Sequence, residues 1–252
     1  MSERFFVETP ITGDRVTLTG TEAHHLIHVM RARLGTPVVL FDGSGGEFSA
    51  VVEGLSRRQV DLQILARVEV DRELTREIVL GVAIPKGIRQ KYLVEKVVEL
   101  GVKCLVPLRT ERAVAQPGSA TLKRMRHGVI EASKQCGRNR LMEVAPPQDW
   151  ADFIEATHQE NCRLLAHPPE NSPLRAPRSG RGEGTIEIGA NTPSRIILAV
   201  GPEGGLTDAE VALAVAAGWR TVSLGRRILR VETAALLLTA WVMNNCPLPT
   251  DH

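Results

Sequence analysis

The 252-residue sequence contains no apolar run near the roughly 18 residues that a membrane span requires. Its opening, MSERFFVETP, lacks the apolar stretch of a secretory signal, so a cytoplasmic protein with no membrane partner is expected. The four cysteines, Cys104, Cys136, Cys162 and Cys246, never form a Cys-x-x-Cys pair. That spacing argues against a zinc site or a disulfide framework and leaves them as reduced thiols in or near the core. There is no Gly-x-x-x-x-Gly-Lys-Ser/Thr, and no Gly-x-Gly-x-x-Gly behind a strand, which disfavours a P-loop and a Rossmann dinucleotide site. His24, His25 and His28 cluster on one short helical pattern, Thr21 to Met30. Without further ligands they read as a polar helix face, so no metal is expected.

Net charge is also small, only +2 from 31 Lys or Arg and 29 Asp or Glu, but its distribution is uneven. Residues 1–72 carry 8 Lys or Arg against 10 Asp or Glu, whereas Leu122 to Arg140 holds Lys123, Arg124, Arg126, Lys134, Arg138 and Arg140 against Glu131 alone. A second cluster, Arg220, Arg226, Arg227 and Arg230, follows near the C-terminus. A solvated helix face would explain either cluster by itself; two in one domain favour a phosphate-contacting surface.

What is present is ordinary globular material, 43% hydrophobic and 24% charged, long enough for one small and one large domain. The first part, residues 1–72, reads as short strands at Arg15 to Leu18, Pro37 to Phe41, Glu47 to Val52 and Gln59 to Leu65, with a hairpin signal at Asp42-Gly43-Ser44-Gly45-Gly46. From residue 73 to 252, strands alternate with helices, the mark of a parallel α/β sheet. Strands are predicted at Ile78 to Ile84, Lys103 to Leu108, Arg163 to Ala166, Arg195 to Val200 and Thr221 to Leu224. Helices are predicted over Lys86 to Leu100 with Gly101 as its stop, Leu122 to Cys136 ended by Gly137, and a stretch following Asp149. A further helix runs from Asp208 to about Ala217, opened by the capping box Thr207/Glu210 and stopped at Gly218. The last, Glu232 to Asn245, is apolar nearly all round and must be buried, in part against another subunit. Residues 167–194 read as a long irregular loop.

Three loops then stand at the carboxyl ends of parallel strands, where open α/β sheets place their ligands: Ala166-His167-Pro168, Gly201 to Leu206, and Leu224 to Arg230. Glycine lets main chain approach a flat heterocycle closely, although Gly201-Pro202-Glu203-Gly204-Gly205 alone is equally a tight strand-to-helix connection.

That segment, taken with Leu224-Gly225-Arg226-Arg227-Ile228-Leu229-Arg230-Val231-Glu232-Thr233-Ala234, resembles the cofactor region of SPOUT methyltransferases. Lys86-Gly87, Val94-Glu95-Lys96, Glu99-Leu100-Gly101-Val102, Thr110-Glu111-Arg112 and Gln135-Cys136-Gly137-Arg138-Asn139-Arg140 resemble the RsmE family, the 16S rRNA uridine-N3 methyltransferases. His24-His25 and Leu40-Phe41-Asp42-Gly43 are similar to that family's PUA-like barrel.

The resemblance implies a SPOUT-type parallel sheet with a C-terminal trefoil knot behind a small PUA-like β-barrel domain, and a homodimer built on the final helix. It implies S-adenosylmethionine as cofactor, held by Ala166, His167, Pro168, Val200, Gly201, Pro202, Glu203, Gly204, Gly205, Leu224, Gly225, Ile228, Leu229 and Arg230. The partner is then 16S rRNA or the small ribosomal subunit, with Arg31, Arg33, Lys123, Arg124, Arg126 and Arg140 as RNA contacts. N3 of uracil carries a proton on the pairing edge, so the base must be presented unpaired and that proton removed. Arg230 and Arg138 are candidates to stabilise the charge developing on the ring, with structural ion pairs as the alternative. Glu232 is a candidate base, alongside Glu203; a favourable helix N-terminus and a turn-ordering role are the respective alternatives. Two other functions stay open: a SPOUT enzyme with another RNA target, and a non-enzymatic RNA-binding assembly factor.

Overall fold

The computed structural model describes residues 4–114, 117–168, 174–175 and 194–244. Most of the 167–194 stretch, Asn245 and Cys246 lie outside the described residues. The chain forms two compact units: Met1–Glu73 with Ile130–Leu141, and Leu74–Val129 with Met142–His252. The segment 130–141, the end of the basic helix and the turn beyond it, therefore packs with the N-terminal strands.

In the first unit, β1 (Arg4–Phe6), β2 (Arg15–Thr19), β3 (Pro37–Phe41), β4 (Gly46–Leu55) and β5 (Gln59–Glu69) form one curled sheet in the order β1-β3-β4-β5-β2. Its pairs are antiparallel except β1 with β3. Strand β4 alternates buried with half-buried residues, and bulges shift its register on β5 at Ser49/Ala50 and Val52/Gly54, which bends the sheet. Phe5, Leu18, Leu26, Leu40, Phe48, Val52 and Leu62 share its core. The hairpin signal is realised between β3 and β4: Asp42 accepts a hydrogen bond from the Ser44 amide at 3.0 Å, and Gly43 and Gly45 take positive φ. Strand β1, too short to show a period, was not anticipated. The predicted helix Thr21 to Met30 is helix α1 (Gly20–His24) continued by a π-helical turn, His25–Val29. The π-turn closes at Arg31, which takes φ 54°, the one positive φ outside glycine among the described residues.

In the second unit, β6 (Glu77–Val82), β7 (Cys104–Arg109), β8 (Glu143–Val144), β9 (Gln148–Asp149), β10 (Arg163–Ala166), β11 (Leu174–Arg175), β12 (Arg195–Val200) and β13 (Arg220–Ser223) form a parallel sheet. Its order is β11-β13-β10-β12-β6-β7-β8, with β9 also pairing β7. Strands β6 and β12 are buried on both faces, as helix-covered parallel strands must be, which is why they read as unbroken apolar runs.

Helices α2 (Ile88–Glu99), α3 (Ser119–Cys136), α4 (Trp150–Ala156), α5 (Asp208–Ala216) and α6 (Val231–Asn244) complete the chain. Helix α2 buries Leu93, Val94, Val97 and Val98, the face its periodicity marked. Its end is a Schellman motif: Gly101 takes φ 78°, with Gly101 N–H donating to Val98 and Val102 N–H to Val97, both at 3.0 Å. Helix α5 ends the same way at Gly218 and opens on the capping box between Thr207 and Glu210. Helix α6 buries Ala235, Leu238 and Val242 and packs on β6, β10, β12 and α2, but leaves Leu237 exposed.

Candidate functional site

The strand order places β13, β10 and β12 side by side, with Ala166 aligned on Val200 and on Val222. Their carboxyl ends therefore lie together, and the three loops that leave them enclose a cleft of about 420 Å³. It is lined by Ala166, His167 and Pro168; by Val200 through Leu206; and by Leu224 through Leu229. Val231 and Ala234, one helical turn apart at the start of α6, close it. All of the residues singled out above for cofactor contact line this cleft except Arg230, whose side chain is exposed and whose carbonyl accepts the Ala234 amide at the head of α6. Leu206, Arg226 and Arg227, which belong to the ligand loops read from the sequence, and Val231 and Ala234, which end the motif quoted for the cofactor region, also line the cleft although they were not among the cofactor contacts; the i, i+3 spacing of the last two on α6 was the available signal.

The chemistry of the lining is apolar side chains beside bare main chain. Where a Cβ would stand on Gly205 or Gly225 there is no heavy atom within 4 Å, so the Cα faces there are open to a ligand, while the Gly205 N–H is engaged by the Pro202 carbonyl at 2.9 Å. Gly225 sits at φ 127°, which an L-side chain rarely adopts. Burial pushes the imidazole of His167 below its ordinary value, partly offset by the negative charge of Asp208, so the ring is neutral at pH 7. Glu203 pairs with Arg89 of α2 at 3.0 Å, whereas Glu232 is buried and its Oε2 has no hydrogen-bond partner among the described residues.

The basic residues divide into engaged and exposed. Arg138 is buried in the first unit, with its guanidinium on both oxygens of Glu73 at 2.9 and 2.5 Å, in the ion-pair arrangement that was its alternative reading. Lys134 pairs with Glu22 at 2.9 Å in the same unit. Arg31, Arg33 and Arg140 in the first unit and Lys123, Arg124 and Arg126 in the second are exposed. The rings of His24 and His28 lie 4.7 Å apart, and no cluster of three or more potential metal ligands occurs among the described residues. Cys162 is buried and its Sγ accepts from Arg220 at 3.7 Å, while Cys104 and Cys136 are half-buried; burial pushes the Cys104 thiol up to about 11.

Two family models match, an RNA methyltransferase domain over residues 72–243 and an RNA methyltransferase PUA domain over residues 18–65. The chain is 36% identical over 228 residues to ribosomal RNA small subunit methyltransferase E of a Synechocystis species, covering 90% of this chain and 72% of that protein. It is 30% identical over 236 residues to the protein of the same name from Mycobacterium bovis, covering 92% and 87%. Among solved structures, ribosomal RNA small subunit methyltransferase E of Neisseria gonorrhoeae, bound to S-adenosylmethionine, superposes with a TM-score of 0.85 at 30% identity over 97% of this chain and 98% of that one. A Legionella pneumophila methyltransferase, also with that cofactor bound, gives a TM-score of 0.84 at 31% identity over 95% and 96%. With a PUA domain match, an RNA methyltransferase domain match over most of the chain and relatives of one name at 30% and 36% identity, the chain belongs to the ribosomal RNA small subunit methyltransferase E family.

Proposed function

We propose that this protein transfers a methyl group from S-adenosylmethionine to N3 of one uridine in 16S rRNA of the small ribosomal subunit, in the cytoplasm. The observation that carries the reading is the cleft itself: three loops from adjacent parallel strands meet there, and two of them present open glycine positions, Gly205 and Gly225, beside apolar side chains. A cleft of this size and polarity suits a nucleoside-sized ligand. Val200, Leu224, Ile228 and Leu229 provide apolar walls for an adenine, and main chain along Gly201–Leu206 and Leu224–Leu229 lines the space where its edge would lie. The neutral His167 adds no cation to repel a sulfonium. When bound, S-adenosylmethionine supplies an electrophilic methyl group.

The chain's own residues have three tasks. Exposed Arg31, Arg33, Lys123, Arg124, Arg126 and Arg140 hold RNA phosphates, the barrel of residues 1–72 acting as an RNA-binding domain. Arg230, exposed at the head of α6, stabilises negative charge developing on O2 or O4 of the uracil. Of the two candidate bases, Glu203 lines the cleft but is engaged by Arg89, so the N3 proton is assigned to Glu232, buried next to the cleft-lining Val231 with an unengaged oxygen. A trefoil knot and a homodimer belong to the same reading. Helix α6 doubling back over β10, β12 and β6, after β13 has taken its place beyond β10, supports the first. Exposed Leu237 on α6 and Ile88 and Tyr92 on the neighbouring α2 support the second.

The decisive measurement is nucleoside mass spectrometry of 16S rRNA from a strain lacking N3-methyluridine, complemented with this protein, beside calorimetric titration with S-adenosylmethionine. Binding together with restored N3-methyluridine is expected. Binding with a different modified nucleoside overturns the target, and no binding overturns the enzyme.

A further inference from the structure

We infer that Arg112 is a positioning residue for the cofactor cleft, locking the Gly204–Gly205 peptide from outside. The inference rests on the S-adenosylmethionine reading of the cleft and concerns a residue that does not line it.

A peptide between two glycines is the easiest in a chain to flip, because neither flanking residue has a Cβ to restrict φ and ψ. In this protein both ends of that peptide are held. The Gly205 N–H donates to the Pro202 carbonyl at 2.9 Å, closing the turn Pro202–Gly205. On the other end, Arg112 Nη1 donates to the Gly204 carbonyl at 3.2 Å. The stem of Arg112 lies so close that a Cβ on Gly204 would stand 3.4 Å from the arginine Cβ. A flip would exchange the directions of this carbonyl and the following N–H and so change which main-chain groups the loop offers. The turn bond alone is a neutral hydrogen bond; the guanidinium adds a charge-assisted one directed at the oxygen that would have to move.

Arg112 is itself held in place by its neighbour. The Glu111 N–H donates to Glu210 Oε1 at 2.9 Å, while Glu210 Oε2 accepts the Thr207 N–H at 2.8 Å. One carboxylate thus ties the loop after β7 to the head of α5, directly behind the glycine loop. This gives Thr110-Glu111-Arg112, otherwise without a role in the cleft, a defined task.

The test compares the wild type with Arg112→Ala and Arg112→Lys, measuring the dissociation constant for S-adenosylmethionine by calorimetry, KM and kcat on 30S-derived RNA, and the melting temperature. Because Arg112 is exposed, both variants should melt with the wild type. Arg112→Ala should weaken cofactor binding and raise the cofactor KM about 3- to 10-fold, the worth of a partly solvated charge-assisted hydrogen bond, with kcat changed less than KM. Arg112→Lys, which keeps a cationic donor on a long stem, should recover most of the affinity. Unchanged cofactor affinity in Arg112→Ala overturns the inference, as does an equal loss in the lysine variant. Failure of the wild type to bind S-adenosylmethionine would instead overturn the underlying reading of the cleft.

Discussion

Gly81, one residue from the end of β6, faces the ring of Phe153, and a Cβ there would stand 2.6 Å from it and 3.0 Å from Leu108. All three belong to a packed interior in which a ring cannot withdraw without opening space elsewhere. Gly81→Ala should therefore cost about 1–3 kcal/mol by urea denaturation, and Phe153→Leu added to it should recover part of that loss. His167 makes a prediction of a different kind. Its folded value is depressed by burial below the unfolded value of 6.5, so the unfolded chain binds the proton more readily. The stability this group contributes is complete above pH 6.5 and is lost as pH falls through the depressed folded value. Denaturation midpoints followed from pH 7.5 to 5 should decline more steeply for the wild type than for His167→Gln.

At the scale of elements, the helix ends illustrate what a local rule can and cannot decide. Helices α2 and α5 stop at Gly101 and Gly218, both with positive φ and both with the paired hydrogen bonds of a Schellman motif. The π-turn after α1 ends comparably, with Ala32 N–H donating to Leu26 at 3.1 Å, yet the left-handed position is occupied by Arg31. Here the glycine signal was missing, although the sequence pattern ended at Met30, one residue beyond the observed end at Val29. Arg31→Gly should raise stability by about 0.5–1 kcal/mol, the left-handed cost of an L-residue less the added unfolded-chain entropy of glycine. A gel-shift titration with a 16S rRNA fragment should show weaker RNA binding by the same variant if the exposed guanidinium contacts phosphate; opposite signs in the two measurements separate the roles.

At the scale of the molecule, the chain returns segment 130–141 to the N-terminal unit. There Arg4 bonds Asn139 and pairs with Glu47, Arg72 donates to the Gly137 carbonyl at 2.9 Å, and Arg138 pairs with Glu73. Burial pushes the Glu47 carboxyl up, but hydrogen bonds from Arg4 and Arg72 outweigh it and hold the group below its ordinary value. Glu73→Gln would remove the carboxylate charge that pairs with the guanidinium of Arg138, only 4% exposed. The expected loss is about 2–4 kcal/mol, read as a shift of the urea midpoint, and Glu73→Asp should retain part of the pair. The basic segment Leu122 to Arg140 thus contains two populations: Lys134 and Arg138 are held in ion pairs, while Lys123, Arg124, Arg126 and Arg140 face solvent.

The sequence by itself determined the parts of this protein that obey short-range rules. Strands β3, β10 and β12, the buried face of α2, the capping box of α5 and the glycine stops depend on dihedral preferences and hydrogen bonds within a few residues, and each was legible. The three strand-end loops were legible as motifs too, because glycine next to a strand end is a local pattern. Only the tertiary structure decided that they meet, since the lateral order β13-β10-β12 joins segments that no periodicity relates. The same holds for Glu73 with Arg138, 65 residues apart, and Glu111 with Glu210, 99 apart. A charged side chain in a sequence carries no mark of which partner desolvates it. That choice is made when the sheet assembles, and with it whether an arginine is kept for RNA, for an ion pair, or for the back of a glycine loop.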